Sequence, residues 1–240
     1  MSIPTDFFDG LAQSSIEVRA RLKSDSRIGL YIDDTLSIPR PFGARNSSPI
    51  KLVVIGQDPT VGSTKTRAKI THALMLNDEK AKLTVFLSSV CAALGIRLGE
   101  NVYATNLCKC FFTEPPRKVK SPKLIQETGH EWLDILRGEL ALFPDAAVIS
   151  LGEPVLDVLL EVTARNRMKW FWGHQPRWKH IPQRPFQRVE PDQSTLGRRF
   201  YPFIHINSDF GFYGARRPDY QQFIRGDIEA SANLTGSRLA

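Results

Sequence analysis

In the stretch KLVVIGQDPTVGSTKTR, residues 51–67, an apolar run ends in a glycine and passes into an acid, a proline, hydroxyls and bases. Two chemistries compete for such a segment. A phosphate cradle of the P-loop type needs G-x-x-x-x-G-K-[ST], so that backbone amides wrap the phosphate and a lysine follows the second glycine directly. Here Ser63 and Thr64 separate Gly62 from Lys65, and the step from Gly56 to Gly62 is one residue too long. No G-x-G-x-x-G follows the run, so the dinucleotide fingerprint is missing too. A nucleotide-binding role for Ser63, Thr64 and Lys65 is therefore the least supported reading. What remains is Asp58, an acid at the carboxyl end of a buried strand and locked by Pro59. It is either a catalytic carboxylate or the cap of a short helix that opens with proline.

The elements that would position Asp58 can be read from the rest of the chain. Four apolar, β-branched-rich runs stand out: KLVVIG (51–56), NVYATN (101–106), AAVISLG (146–152) and PFIHIN (202–207). Between them lie helical patterns. Residues 79–94 carry Leu83, Phe86, Leu87, Val90 and Leu94 and stop at Gly95, a C-cap signal. Ser121-Pro122 opens a helix presenting Leu124, Trp132, Leu136 and Leu140, and Glu153-Pro154 opens another; a weaker one begins near Asp219. Strands alternating with helices predict one α/β domain whose central four-stranded, mostly parallel sheet is flanked by helices. In such sheets ligands bind beyond the carboxyl ends of the strands. That edge collects Asp58 after the first strand, Asn106 ending the second, Gly152 after the third and His205 in the fourth. Asn106 as a turn former and His205 as a core histidine are the structural alternatives.

Outside the alternation, residues 1–48 read as an extension packed on the core, with a helix around Ile16 to Leu22, and 231–240 read as a frayed tail. The core domain spans 49–230. Its insert at 165–200 carries nine bases (165, 167, 169, 177, 179, 184, 188, 198, 199) against Glu190 and Asp192, and three of the four tryptophans. The whole chain has 32 Lys+Arg against 25 Asp+Glu, a net charge of +7, which points to a polyanionic partner. No apolar run approaches a membrane span, and the start MSIPTDFFDG lacks a basic and an apolar export region. Three cysteines are an odd number for a disulfide framework, so a reducing, cytoplasmic setting is expected. Cys108 and Cys110 lack a second pair and read as buried thiols, not as a zinc site.

With these residues in place, the chain resembles the uracil-DNA glycosylase superfamily. GQDP at 56–59 matches the water-activating loop of the family-1 enzymes. VYATNLCKC at 102–110 is similar to the VYITNxVKC strand of the iron-sulfur family, VISLGEPVLDVLL to its LG turn and following helix, and HINS at 205–208 to H-P-S. The resemblance covers about residues 50–214 and implies a monomeric DNA glycosylase with no metal or organic cofactor, removing uracil or a related deaminated or 5-substituted pyrimidine. It implies that Asp58 positions a water and stabilises the oxocarbenium-like sugar. His205 would donate to uracil O2, Asn106 would read the O4 and N3–H edge, and Gln57 would lend a backbone N–H. His72 is a lesser candidate for the pocket wall.

The chain departs from the family in several places. Thr60 stands where family 1 has a tyrosine crowding the uracil C5 position, and Leu76 where it has a stacking phenylalanine. Thr60 would leave room beside C5 unless Phe111, Phe112 or a tryptophan of the insert fills it. Ile206 replaces the proline of H-P-S, and only Cys110 matches the four cluster cysteines, so no iron-sulfur cluster is expected. A catalytically inactive nucleic-acid-binding member of the same fold is the alternative that these losses raise. For DNA, the expected surfaces are Arg117, Lys118 and Lys120 in PPRKVKSPK, Arg177 and Lys179 in the insert, and Ser208 with Phe210 as a duplex wedge. The insert's tryptophans would either stack on bases or build a small core.

Overall fold

A computed structural model describes residues 5–43, 48–164, 166–174, 184–208 and 211–236. In chain order the elements begin with α1 (Thr5–Ser24), β1 (Ile32–Asp33), β2 (Leu52–Gly56), α2 (Thr64–Arg67), α3 (Lys82–Ala93) and α4 (Leu98–Asn101). There follow β3 (Val102–Asn106), β4 (Phe111–Phe112), α5 (Leu124–Thr128), α6 (Leu133–Ala141), β5 (Ala147–Leu151) and α7 (Glu153–Leu159). The chain closes with α8 (Met168–Phe171), β6 (Tyr201–Phe203) and α9 (Phe212–Gly236).

The four apolar runs form one sheet in the order β3-β2-β5-β6, every neighbouring pair parallel. All residues of β2 and β3 are buried, which is why these runs are continuously apolar instead of alternating. α3 and α9 pack together on one face, where Phe203 of β6 meets Phe86 and Tyr220. α1, α5, α6 and α7 cover the other. The chain runs outward from β2 to β3 and then crosses back to β5 and β6. Its winding therefore reverses between β2 and β5, and the crevice outside their carboxyl ends is where such a sheet takes a ligand.

Several elements differ from the sequence expectation for identifiable reasons. The fourth strand ends at Phe203, and His205 lies just beyond it, before a 3-10 turn at Ile206–Ser208 in which the Ser208 N–H donates to His205 O (2.8 Å). The helix expected after Pro122 is split into α5, a 3-10 turn at Gly129–Trp132, and α6. α9 starts at Phe212, ahead of Pro218, because Tyr213 packs against Trp172 (5.4 Å) and holds the turns before the proline. Its backbone stays helical to Gly236, into the stretch that reads as a tail.

The segment before β2 does more than pack. α1 lies on α6, β1 pairs antiparallel with β4, and Phe42 bridges Ala104. Part of the insert is likewise core: Trp172 is fully buried, stacks on Tyr220 at 4.2 Å and donates its Nε1–H to Pro202 O. Among the described residues, no helix is long and apolar enough to cross a membrane.

Candidate active site

Asp58 follows β2 by two residues, on a loop that still holds to the β3 side. The Leu107 N–H donates to Gly56 O (2.8 Å) and the Cys108 N–H to Gln57 O (2.9 Å), so the loop stays tied to the segment after β3 past the strand ends. The carboxylate is gripped from its own loop. Gln57 Nε2 donates to Oδ1 and the Thr60 N–H to Oδ2, both at 2.9 Å. Burial raises the Asp58 pKa above the ordinary aspartate value, while the Thr60 hydroxyl, the Thr60 amide, Gln57 and the Arg67 charge pull it back. The result is a carboxylate more basic than an exposed one, held in one orientation. Ser63, not Asp58, caps α2: its side chain accepts from the Thr66 N–H. The helix-cap alternative for Asp58 is thus replaced by an Asp58–Thr60 turn.

Asn106 ends β3 opposite Gly56, one strand spacing (about 4.8 Å) from β2. Its side chain is buried, and its Oδ1 has no hydrogen-bond partner among the described residues. Trp132 Nε1, Ser150 Oγ and Arg216 Nε share that condition, but of the four only Asn106 terminates a strand. Gly56 makes the arrangement possible. A Cβ there would lie 2.0 Å from Leu74 Cδ2 and 3.0 Å from Asn106 Oδ1. Leu74 and Met75 both have positive φ, 59° and 58°, a left-handed conformation costly for such residues and concentrated at functional sites. Leu74 is thus the apolar wall beside Asn106. Leu76, expected in place of the stacking phenylalanine, is buried in the same core cluster as Leu74.

His205 lies past the end of β6, two strand spacings from β2, about 10 Å. Its Nδ1 accepts the Asn207 N–H at 3.3 Å, which leaves the proton on Nε2. Burial, then the nearby Arg117 charge, lowers its pKa, so the ring is a neutral donor at neutral pH. Gly152, at φ 89°, lets β5 turn into α7 directly beside His205; a Cβ there would meet His205 Cβ at 3.6 Å. Glu153, which the sequence reading uses only as a helix opener, is a second half-buried carboxyl at this edge, with burial raising its pKa.

The other expected residues fall in four groups. Thr60 is at the site, but its hydroxyl accepts the Phe112 N–H (2.7 Å) while its amide holds Asp58; Phe111 and Phe112 are fully buried. His72 lines a groove of about 490 Å³ with Arg40, Arg67, Thr71 and Phe111, and Asp58, Asn106 and His205 are not among its lining residues. Arg117, Lys118 and Lys120 are exposed around a 3-10 turn, and Ser208 is exposed at the end of its own. Arg177, Lys179 and Phe210 lie outside the described residues.

The basic insert is partly neutralised from within. Arg188 pairs with Glu190 and Asp227, Arg199 pairs with Glu190, and Arg198 donates to the carbonyls of Leu140, in the last turn of α6, and of Pro144 and Ala146 beyond it. The three cysteines are free and buried, with burial pushing Cys91 and Cys110 up to about 12 and Cys108 well above its ordinary value. No metal-binding cluster occurs among the described residues. No protein-family model matches the chain, and no curated protein does.

Proposed function

We propose that this protein is a DNA glycosylase that hydrolyses the N-glycosidic bond of uracil or a related deaminated or 5-substituted pyrimidine. The observation that carries the reading is the unpartnered, buried Oδ1 of Asn106 at the same sheet edge as a gripped, half-buried carboxylate and a neutral imidazole. An acceptor of that kind wants a donor, and a carboxamide matches the N–H and carbonyl of a pyrimidine edge.

In the proposed reaction the target base leaves the stack and enters the crevice. Asp58 orients a water toward the anomeric carbon, and its negative charge stabilises the cationic sugar as the C–N bond breaks. His205 donates its Nε2–H to the base oxygen on which charge collects. The departing base keeps the bonding electron pair, the water oxygen forms the new bond to the sugar, and the proton that the water loses passes to Asp58. Arg117, Lys118 and Lys120 contact backbone phosphates beside His205, a sequence-independent anchor.

The test is single-turnover cleavage of oligonucleotides carrying one uracil, 5-hydroxymethyluracil, hypoxanthine or mismatched thymine, read as alkali-labile abasic sites. Cleavage at uracil is expected, with 5-hydroxymethyluracil measuring how open the C5 side is. Binding without cleavage of any lesion would overturn the glycosylase reading in favour of an inactive nucleic-acid-binding protein.

A further inference from the structure

Thr60 stands where a residue facing the substrate is expected, yet its polar atoms face inward. The Thr60 N–H donates to Asp58 Oδ2 at 2.9 Å, and its Oγ1 accepts the Phe112 N–H at 2.7 Å across a sequence separation of 52 residues. Phe112 belongs to β4, which pairs with β1: Ile32 lies opposite Phe112 and Asp33 opposite Phe111. Arg67 ties the same two segments a second time, from Nε to Val61 O (2.6 Å) and from Nη1 to Phe112 O (2.9 Å) and Thr113 O (2.8 Å). The Asp58 loop is therefore fastened to the two-stranded ribbon that the N-terminal segment completes.

We infer that Thr60 is the positioning residue of Asp58, its amide holding the carboxylate and its hydroxyl bond to Phe112 transmitting that placement from the β1–β4 ribbon. A hydroxyl that accepts from a backbone N–H has its own proton left to direct at the carboxylate. Hydrogen bonds to the charged form favour that form, and the Thr60 hydroxyl is foremost among the groups that counter the effect of burial on Asp58. Gln57 Nε2 shares the work on Oδ1, with the Arg67 guanidinium close by. The other titratable groups near Asp58 are the thiols of Cys108 and Cys110, which burial, reinforced by the Asp58 charge, keeps protonated far above neutral pH. A pH series at this position consequently reads the carboxylate itself. A bulky residue at 60 would remove the latch, so an aromatic side chain there would not simply close the C5 side.

The catalytic consequence rests on the glycosylase reading; the positioning itself does not. The experiment compares wild type with Thr60→Val, Thr60→Ala and Thr60→Ser. Asp58 is titrated by carbon-13 NMR of carboxyl-labelled aspartate, its signal assigned by its loss in Asp58→Asn. Single-turnover cleavage of a uracil oligonucleotide is followed across the same pH range. Thr60→Val and Thr60→Ala should move the Asp58 titration to higher pH, carry the acidic limb of cleavage with it, and slow cleavage roughly ten- to a hundredfold, the scale of a hydrogen bond to a charged group. Thr60→Ser should return both to wild type. An Asp58 titration that stays in place in Thr60→Val and Thr60→Ala overturns the proposal. So does a Thr60→Ser protein that behaves like the valine variant. If wild type cleaves nothing, the glycosylase reading fails while the titration still decides the role of Thr60.

Discussion

Two polar clusters are buried against β3, and they are finished differently. On the α6 face Glu139 accepts from Tyr103 Oη (2.8 Å), Thr105 Oγ1 (2.9 Å) and Lys109 Nζ (2.5 Å). Lys109 uses its remaining two donors on Thr105 Oγ1 (2.7 Å) and the Asn106 carbonyl (3.1 Å). At the carboxyl edge, by contrast, the Asn106 side chain keeps an acceptor with no partner among the described residues, and Asp58 is half-buried, held by Gln57 and the Thr60 amide. A saturated network specifies the fold, whereas a partly satisfied one carries a standing cost that a ligand or a mechanism can offset. The two are joined, because Lys109 holds the backbone of the very residue whose side chain is left open.

The largest effect should come from breaking the saturated cluster. Lys109→Met leaves Glu139 buried without its counter-charge, and such a loss costs about 3–5 kcal/mol. Urea unfolding should show it, and the double variant Lys109→Met with Glu139→Leu should recover most of it. A loss under about 1 kcal/mol in the single variant would mean that the pair does not organise this face. Asn106→Leu sharpens the contrast. It removes an unsatisfied acceptor at similar volume, so stability should stay within about 1 kcal/mol of wild type while cleavage falls roughly ten- to a hundredfold. If it unfolds the protein as Lys109→Met does, Asn106 belongs to the structural cluster.

A smaller effect is expected on binding alone. Replacing Arg117, Lys118 and Lys120 together by Ala should weaken binding to undamaged duplex and flatten its salt dependence by about 0.9 log unit of slope for each phosphate no longer neutralised. An unchanged slope would place the DNA surface elsewhere. Arg199→Ala is the control with the least effect, since Arg199 is already paired with Glu190. Its salt slope should match wild type, and a flattened slope would return the insert's ion-paired cations to the DNA surface.

What could be read in advance follows from how local each feature is. β2, β3 and β5 announce themselves because strands buried on both faces must be continuously apolar, and the residues at their carboxyl ends come with them. α3 is bounded by its own periodicity and Gly95. The β1–β4 ribbon has two residues in each strand, too few for any period to register. The helix after Pro122 gives way to a 3-10 turn at Gly129, where the chain passes so close to Val158 that a Cβ would sit 2.9 Å from it, a tertiary contact that no local pattern announces. Leu74 is hidden for the same kind of reason: nothing in THALML signals two consecutive left-handed residues. Thr60 reads as a small residue in a gate, and its role as a latch emerges only with Phe112 beside it. Arg188, Arg198 and Arg199 look like DNA-facing bases until their acidic and carbonyl partners are in view.

The measurement that bears most directly on the proposed active site is the paired activity and stability of Asp58→Asn. Burial raises the Asp58 pKa in the folded protein, so between the unfolded value, about 3.9, and the folded one the native state binds more protons. Stability then falls as pH rises through that window and stays lower above it. Asparagine removes this penalty but accepts with one atom only, so it gives up either the Gln57 or the Thr60 hydrogen bond. With the two effects opposed, the variant should melt near the wild-type temperature at neutral pH, the charge-related part of any difference vanishing below about pH 4, the unfolded aspartate range. Its single-turnover cleavage of a uracil oligonucleotide should fall at least about a hundredfold. A variant that keeps near-wild-type cleavage would contradict the account, and one that loses both activity and melting temperature at neutral pH would make Asp58 a structural residue.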